Sequence, residues 1–226
     1  MRAISRRCAL AQAAAVFAAT GCLFRPATVP QSFSIDPPAP QSAARPGGVV
    51  IALARVDVAP PYSGQSLIYR RGEHGLERDP YARFAAPPGW LLTVAIRGYL
   101  ANADFVRDVV APGDSARSEA TVEVAVSKMA GELRPGGSSA ALTLRFRVLS
   151  NPGGTHETSE ILLKTYSATI PIRRATAQDV VSAWNQGLAN IMAEFQVDLQ
   201  TALTAARAPS GNPGSTGAAA SGRATR

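Results

Sequence analysis

Cysteine and histidine are nearly absent from this chain: each occurs twice in 226 residues. Both cysteines, Cys8 and Cys22, lie at the extreme N-terminus, so the body of the chain has no thiol for a disulfide scaffold or a nucleophile. The histidines, His74 and His156, sit in separate Gly-rich polar stretches without a second histidine or thiol at ligand spacing, which argues against a metal site. Long apolar runs are also missing. The longest, Cys8 to Thr20, is about a dozen residues, where a bilayer span needs roughly 20. The Gly-x-Ser-x-Gly elbow is lacking, since Ser63-Gly64-Gln65-Ser66 does not supply it and "PGGSSA" reads as a hairpin turn. No Walker-type phosphate loop appears, so the chain does not carry its own ATPase. Glu73, Glu77 and Asp79 form a carboxylate-rich stretch, but Arg70, Arg71, Arg78 and Arg83 interleave with them and suit neutralised surface charge better than an acid/base pair. No catalytic residue, cofactor or metal ligand is expected.

What the N-terminus does contain is an address. "MRAISRR" is basic, the apolar run follows, and Thr20-Gly21-Cys22 closes it in the proportions of a secretory leader. The small residues before Cys22 resemble the lipobox of bacterial lipoproteins, with Ala19 in place of the usual Leu. That resemblance implies cleavage after residue 21 and lipidation of Cys22; an ordinary leader cut near Gly21 is the other reading. Several acyl chains exceed the two signals that stable anchoring needs. Arg6-Arg7 fits the general or the twin-arginine route. Leu23, not Asp, favours the periplasmic face of the outer membrane by analogy with enteric lipoproteins.

Cleavage would leave 205 of the 226 residues and lower the formal charge from +7 to +4 by removing Arg2, Arg6 and Arg7. The remaining arginines are scattered, without the basic cluster and stacking aromatics that nucleic-acid binding requires. The expected organisation is a leader over 1–21, a lipidated N-terminus and flexible tether over 22–47 giving the domain reach from the bilayer, one folded domain over 48–207, and a disordered tail over 208–226. Its Pro- and Ser-rich composition also allows part of the tether to be an extended edge segment.

Within the folded span, "VVIALARVDVA" from Val49 suits one strand covered on both faces. Val122, Val124 and Val126 alternate, as do Leu142, Leu144, Phe146 and Val148. With a last strand near Ile161 to Ile172 they predict an antiparallel meander joined by "PGG" and "NPGG" turns. Pro88 opens one helix, with Trp90, Leu91, Val94, Ala95 and Ile96 giving it a broad apolar face. Thr176 is placed to cap a second, whose stripe Val180, Trp184, Leu188, Ile191, Phe195, Leu199 and Leu203 runs to about Arg207. Gly187 interrupts that stripe at a cost of about 1 kcal/mol relative to Ala. The fold class is α+β, a mixed and largely antiparallel sheet with two principal helices packed against it.

Between first strand and first helix, Pro61, Tyr62, Leu67, Tyr69, Arg70, Asp79, Arg83, Phe84 and Pro87 form a pattern that resembles the ABC-type transport auxiliary lipoprotein family. The likeness extends to "QSFSIDPP", the meander and the final helix; Phe84 stands where the family usually has Trp, and Ser63 where a Leu is common. The resemblance implies a non-enzymatic, periplasm-facing lipoprotein. It would serve an ABC transporter of the mammalian-cell-entry type that moves lipids or other hydrophobic compounds, with a periplasmic mammalian-cell-entry subunit, a permease and an ATPase as partners and a homo-oligomer possible. A structural outer-membrane lipoprotein assisting another envelope complex is the alternative. Tyr62, Tyr69, Arg70, Arg83 and Phe84 are the candidate partner contacts, since Tyr and Arg supply contact energy at interfaces. The competing role puts Tyr69 and Phe84 in the core and pairs Arg70 and Arg83 with Asp79 or Glu77.

Overall fold

A computed structural model describes residues 29–39, 47–114, 117–151 and 158–207. The leader, Cys8, Cys22, His156 and the C-terminal tail lie outside the described residues.

The order is β1 (Gln31–Phe33), β2 (Val49–Leu53), β3 (Asp57–Val58), a 3-10 turn (Pro60–Tyr62), β4 (Ser66–Arg71), β5 (Gly75–Phe84), α1 (Pro88–Ala101), β6 (Val106–Val110), β7 (Ala120–Leu133), β8 (Ser138–Ser150), β9 (Ser159–Ile172) and α2 (Ala177–Arg207). All nine strands join one mixed sheet with both helices on one side, an α+β fold. β7 is its trunk. Along one edge β7 takes β2, β3 and β4 in succession, all parallel; along the other it takes β8, and β8 takes β9, both antiparallel. From there β2 extends to β6, and β4 extends through β5 to β1.

The predicted meander and both helices are present. Thr176 Oγ1 accepts from the Asp179 N–H at 3.2 Å, the cap that starts α2. Pro88 occupies the first turn of α1 after Pro87. Val49–Ala59 is not one strand. The ladder breaks after Leu53 because the first turn of α1 crosses there: a Cβ on Gly89 would sit 2.8 Å from the Val56 carbonyl, and Thr93 Oγ1 takes the Val56 N–H at 2.9 Å in place of a strand partner. Residues 29–39 take the edge-segment role, since Gln31–Phe33 pairs in parallel with Ala82–Phe84 and Ile35 is buried.

The core lies between sheet and helices. Phe195 of α2 stacks on Phe146 of β8 at 4.0 Å between centroids, and Tyr166 of β9 meets both rings edge-on. The Tyr166 hydroxyl then donates to Asp198 at 2.6 Å, and Trp184 Nε1 donates to the Ala141 carbonyl at 3.2 Å, so the heteroatoms of these two buried side chains are partnered. Gly187 is an approach point, not a defect: a Cβ there would lie 3.2 Å from Ala168 Cβ, so the missing methyl lets α2 settle on β9.

Candidate partner-binding site

Three of the five residues expected at an interface are interior. Tyr62 ends the 3-10 turn and is buried, its hydroxyl accepting from Arg70 Nη2 at 3.4 Å. Tyr69 lays its ring over Gly131, where a Cβ would come within 2.8 Å of Tyr69 Cδ1, and Val180 of α2 closes the other side. Burial first, then the neighbouring Asp79 carboxylate, pushes the Tyr69 phenol well above its ordinary value. Phe84 packs 5.8 Å from Trp184. Packing therefore accounts for Tyr69 and Phe84.

The two arginines separate. Arg83 is exposed and has no ion-pair partner among the described residues. Arg70 does not pair with Asp79 or Glu77, because the strand's alternation sends it across the sheet to Glu132, with Nε 3.6 Å from Oε1. Glu77 is instead bound by Arg71, and Asp79 Oδ1 accepts from the N–H groups of Tyr81 and Ala82, each at 2.8 Å. The carboxylates of this stretch are thus held by neighbours, consistent with a structural role.

Glu132 is the charged residue that sequence reasoning missed. It is 4% exposed and takes Lys128 Nζ at 2.6 Å and Arg134 Nη2 at 3.0 Å besides Arg70. Burial pushes its carboxyl up, but hydrogen bonds and charge from Lys128 and Arg134 outweigh that and hold it below the usual range. Lys128 and Arg134 are its neighbours in sequence, but its burial and its third partner, Arg70 of β4, come from the fold.

The side of the sheet away from the helices is open around β7, β8 and β9. A groove of about 540 Å³ there is lined by Arg55, Asp57, Glu123, Arg145, Arg147 and Glu160 among others, and Arg147 bridges Glu160 at 2.7 Å and Glu123 at 3.4 Å. The helix side differs. Trp90 and Val94 of α1 are about half exposed, Gly98 and Ala101 continue the same solvent stripe, and the half-buried Arg97 beside them turns its guanidinium to the Val109 carbonyl at 3.4 Å. Such a stripe, with an exposed aromatic and an arginine at its side, has the composition of an interface. His74 is almost fully exposed. Among the described residues no group of three His, Cys, Asp or Glu is placed to hold a metal ion, and no helix is long and apolar enough to cross a membrane.

The family model for the ABC-type transport auxiliary lipoprotein component matches residues 33–195, from the end of the edge strand to just past the middle of α2. The chain belongs to that family. A solved Xanthomonas campestris protein of the DUF330 family model shares the fold of this auxiliary lipoprotein at a TM-score of 0.60 and 16% identity, covering 77% of this chain and 96% of that one. A second solved structure, titled only as an uncharacterized protein, matches at a TM-score of 0.56 and 14% identity, covering 76% and 99%. No curated protein matches. Membership accounts for the lipoprotein character and the tie to an ABC transport system. Cys22, where a lipid would be attached, lies outside the described residues.

Proposed function

We propose that this auxiliary lipoprotein is a non-catalytic component of an ABC transport system of the mammalian-cell-entry type, moving lipids or other hydrophobic compounds across the cell envelope. Anchored through lipid on Cys22 at the periplasmic face of the outer membrane, it would meet the system's periplasmic subunit and, through it, the permease and ATPase. The observation that carries this reading is the family match, which takes in the sheet from the last residue of β1 onward and the first part of α2 as far as residue 195. The geometry adds a contact surface: the Trp90–Val94–Gly98 stripe of α1, with Arg83 as a second exposed contact on β5.

The test is affinity purification of the full-length chain from solubilised envelopes. The expected companions are a mammalian-cell-entry subunit and its permease. Val94→Asp should abolish the capture while leaving the urea midpoint unchanged, because Val94 is already half exposed. Recovery of a secretion channel instead would favour the assembly-assisting alternative, and size-exclusion of the same material reports any homo-oligomer.

A further inference from the structure

Anchoring at Cys22 has a geometric corollary set by covalent chain length. Seven peptide steps separate position 22 from Val29, and at ~3.3–3.6 Å per fully extended residue they reach at most about 25 Å. No more slack lies downstream, because Gln31–Phe33 is already paired with β5, the Ala85 N–H donates to the Phe33 carbonyl at 2.8 Å, and Ile35 is buried. The long Pro-rich stretch up to residue 47 therefore lengthens the link between β1 and β2, not the link to the anchor.

The edge nearest that anchor has a distinct surface. Gln31 stands opposite Ala82, beside a β-bulge where β4–β5 register jumps between the pairs Ile68–Arg78 and Ser66–Arg83. Asp79 holds the bulge by accepting the N–H groups of Tyr81 and Ala82. Bulges re-aim side chains, and here Tyr81 is left 54% exposed on β5, whose neighbour β1 is the strand that follows Val29, 78% exposed. Leu76 is exposed further along β5, and Arg78 and Arg83 on β5 are exposed without ion-pair partners among the described residues. Tyr with Arg is the pairing suited to a bilayer's headgroup zone, the ring at the apolar boundary and the guanidinium at lipid phosphate.

We propose that the β1–β5 edge rests on the lipid surface, with Tyr81 and Val29 at headgroup level. The open groove of the sheet and the α1 stripe are then the surfaces left for protein partners. This rests on the reading that Cys22 is lipidated.

The mature chain offers a clean probe, since Cys8 leaves with the leader and Cys22 is blocked. The lipidated full-length variants Tyr81→Cys and Val197→Cys each carry one free thiol for an environment-sensitive fluorophore; Val197 is exposed on α2. They are bound to phosphatidylethanolamine–phosphatidylglycerol vesicles containing a headgroup-nitroxide lipid. Vesicle flotation is scored first. A chain that floats and shows severalfold stronger quenching at position 81 than at 197 supports the proposal. A chain that floats with equal quenching, or with more at 197, overturns it while leaving the anchor standing. A chain that does not float overturns the anchor reading itself, and this inference with it. Unchanged near-UV circular dichroism of both variants shows that the labelled protein is folded.

Discussion

Glu123 and Glu132 lie on the same strand, β7, both turn away from the helices, and both are met by arginine. The side chain of Glu123 is 46% exposed in an open ion-pair row with Arg147; that of Glu132 is 5% exposed beneath the Tyr62 turn, with Lys128, Arg134 and Arg70 around it. The bulge between Val126 and Lys128 divides the two halves, and the cover beyond it comes from the β3–β4 crossover. The pair teaches that identical chemistry on one strand face is set apart by what packs over it: screening governs the first carboxylate and desolvation the second.

The largest expected effect tests the premise that the two halves share one inner layer. Phe195→Ala, under the first half, and Trp184→Ala, under the second, should each cost about 3–5 kcal/mol in urea denaturation. A cost below about 1 kcal/mol at Trp184 would mean that the layer is not continuous. Next, Glu132→Gln should lose about 2–3 kcal/mol, less than a wholly enclosed pair because Arg134 and Lys128 can turn to water. Glu123→Gln should lose less than about 1 kcal/mol, and less still in high salt. Equal losses would break the comparison. Gly131→Ala sharpens it from the inner side, where the added methyl must displace the buried Tyr69 ring at a cost of about 1–3 kcal/mol.

The smallest effect is in the pH profile. The folded Glu132 carboxyl is held below its ordinary 4.5, so its contribution is present above that pH and disappears as acid carries it through its lower folded value. Asp198 behaves alike, held down by hydrogen bonds from Lys164 and then Tyr166. Glu132→Gln should therefore flatten the acid limb of stability against pH below about 4.5. Burial raises the Tyr69 and Tyr166 phenols, so their contribution is complete below the ordinary 10.0 and fades as pH rises beyond it. Tyr69→Phe should soften the alkaline loss, read by thermal melts between pH 9 and about 11.

Much of the architecture was legible because it is local. The cap at Thr176, the stripe from Val180 to Leu203 and the alternation in β7 and β8 are patterns that neighbouring residues impose on each other. The parallel pairings of β7 with β2, β3 and β4 were not legible, since nothing in a strand names a distant parallel partner. β6 went unnoticed because Arg107-Asp108 interrupts a five-residue stretch. β5 was harder to see as a strand, with Glu77, Arg78 and Asp79 where an apolar alternation is sought. Among the candidate contacts, Tyr69 and Phe84 belong to residue types that serve cores and interfaces equally, and only the glycine beneath Tyr69 and the indole beside Phe84 decide their place. Glu132 escaped for the opposite reason, as an ordinary acid made special by burial and by an arginine from β4.

Among the described residues, the sheet that forks at β7 has four strands with a single partner where an unbranched one has two, and they are unequal: β3 is two residues long, β1 three, β6 five and β9 fourteen. Among the described residues β9 pairs only with β8, which leaves one long row of peptide groups open to water. Lys164 and Pro171 interrupt it, the first with charge and the second by lacking a donor. Among the described residues a stray strand thus finds its longest landing place at β9, and those two side chains are its gatekeepers.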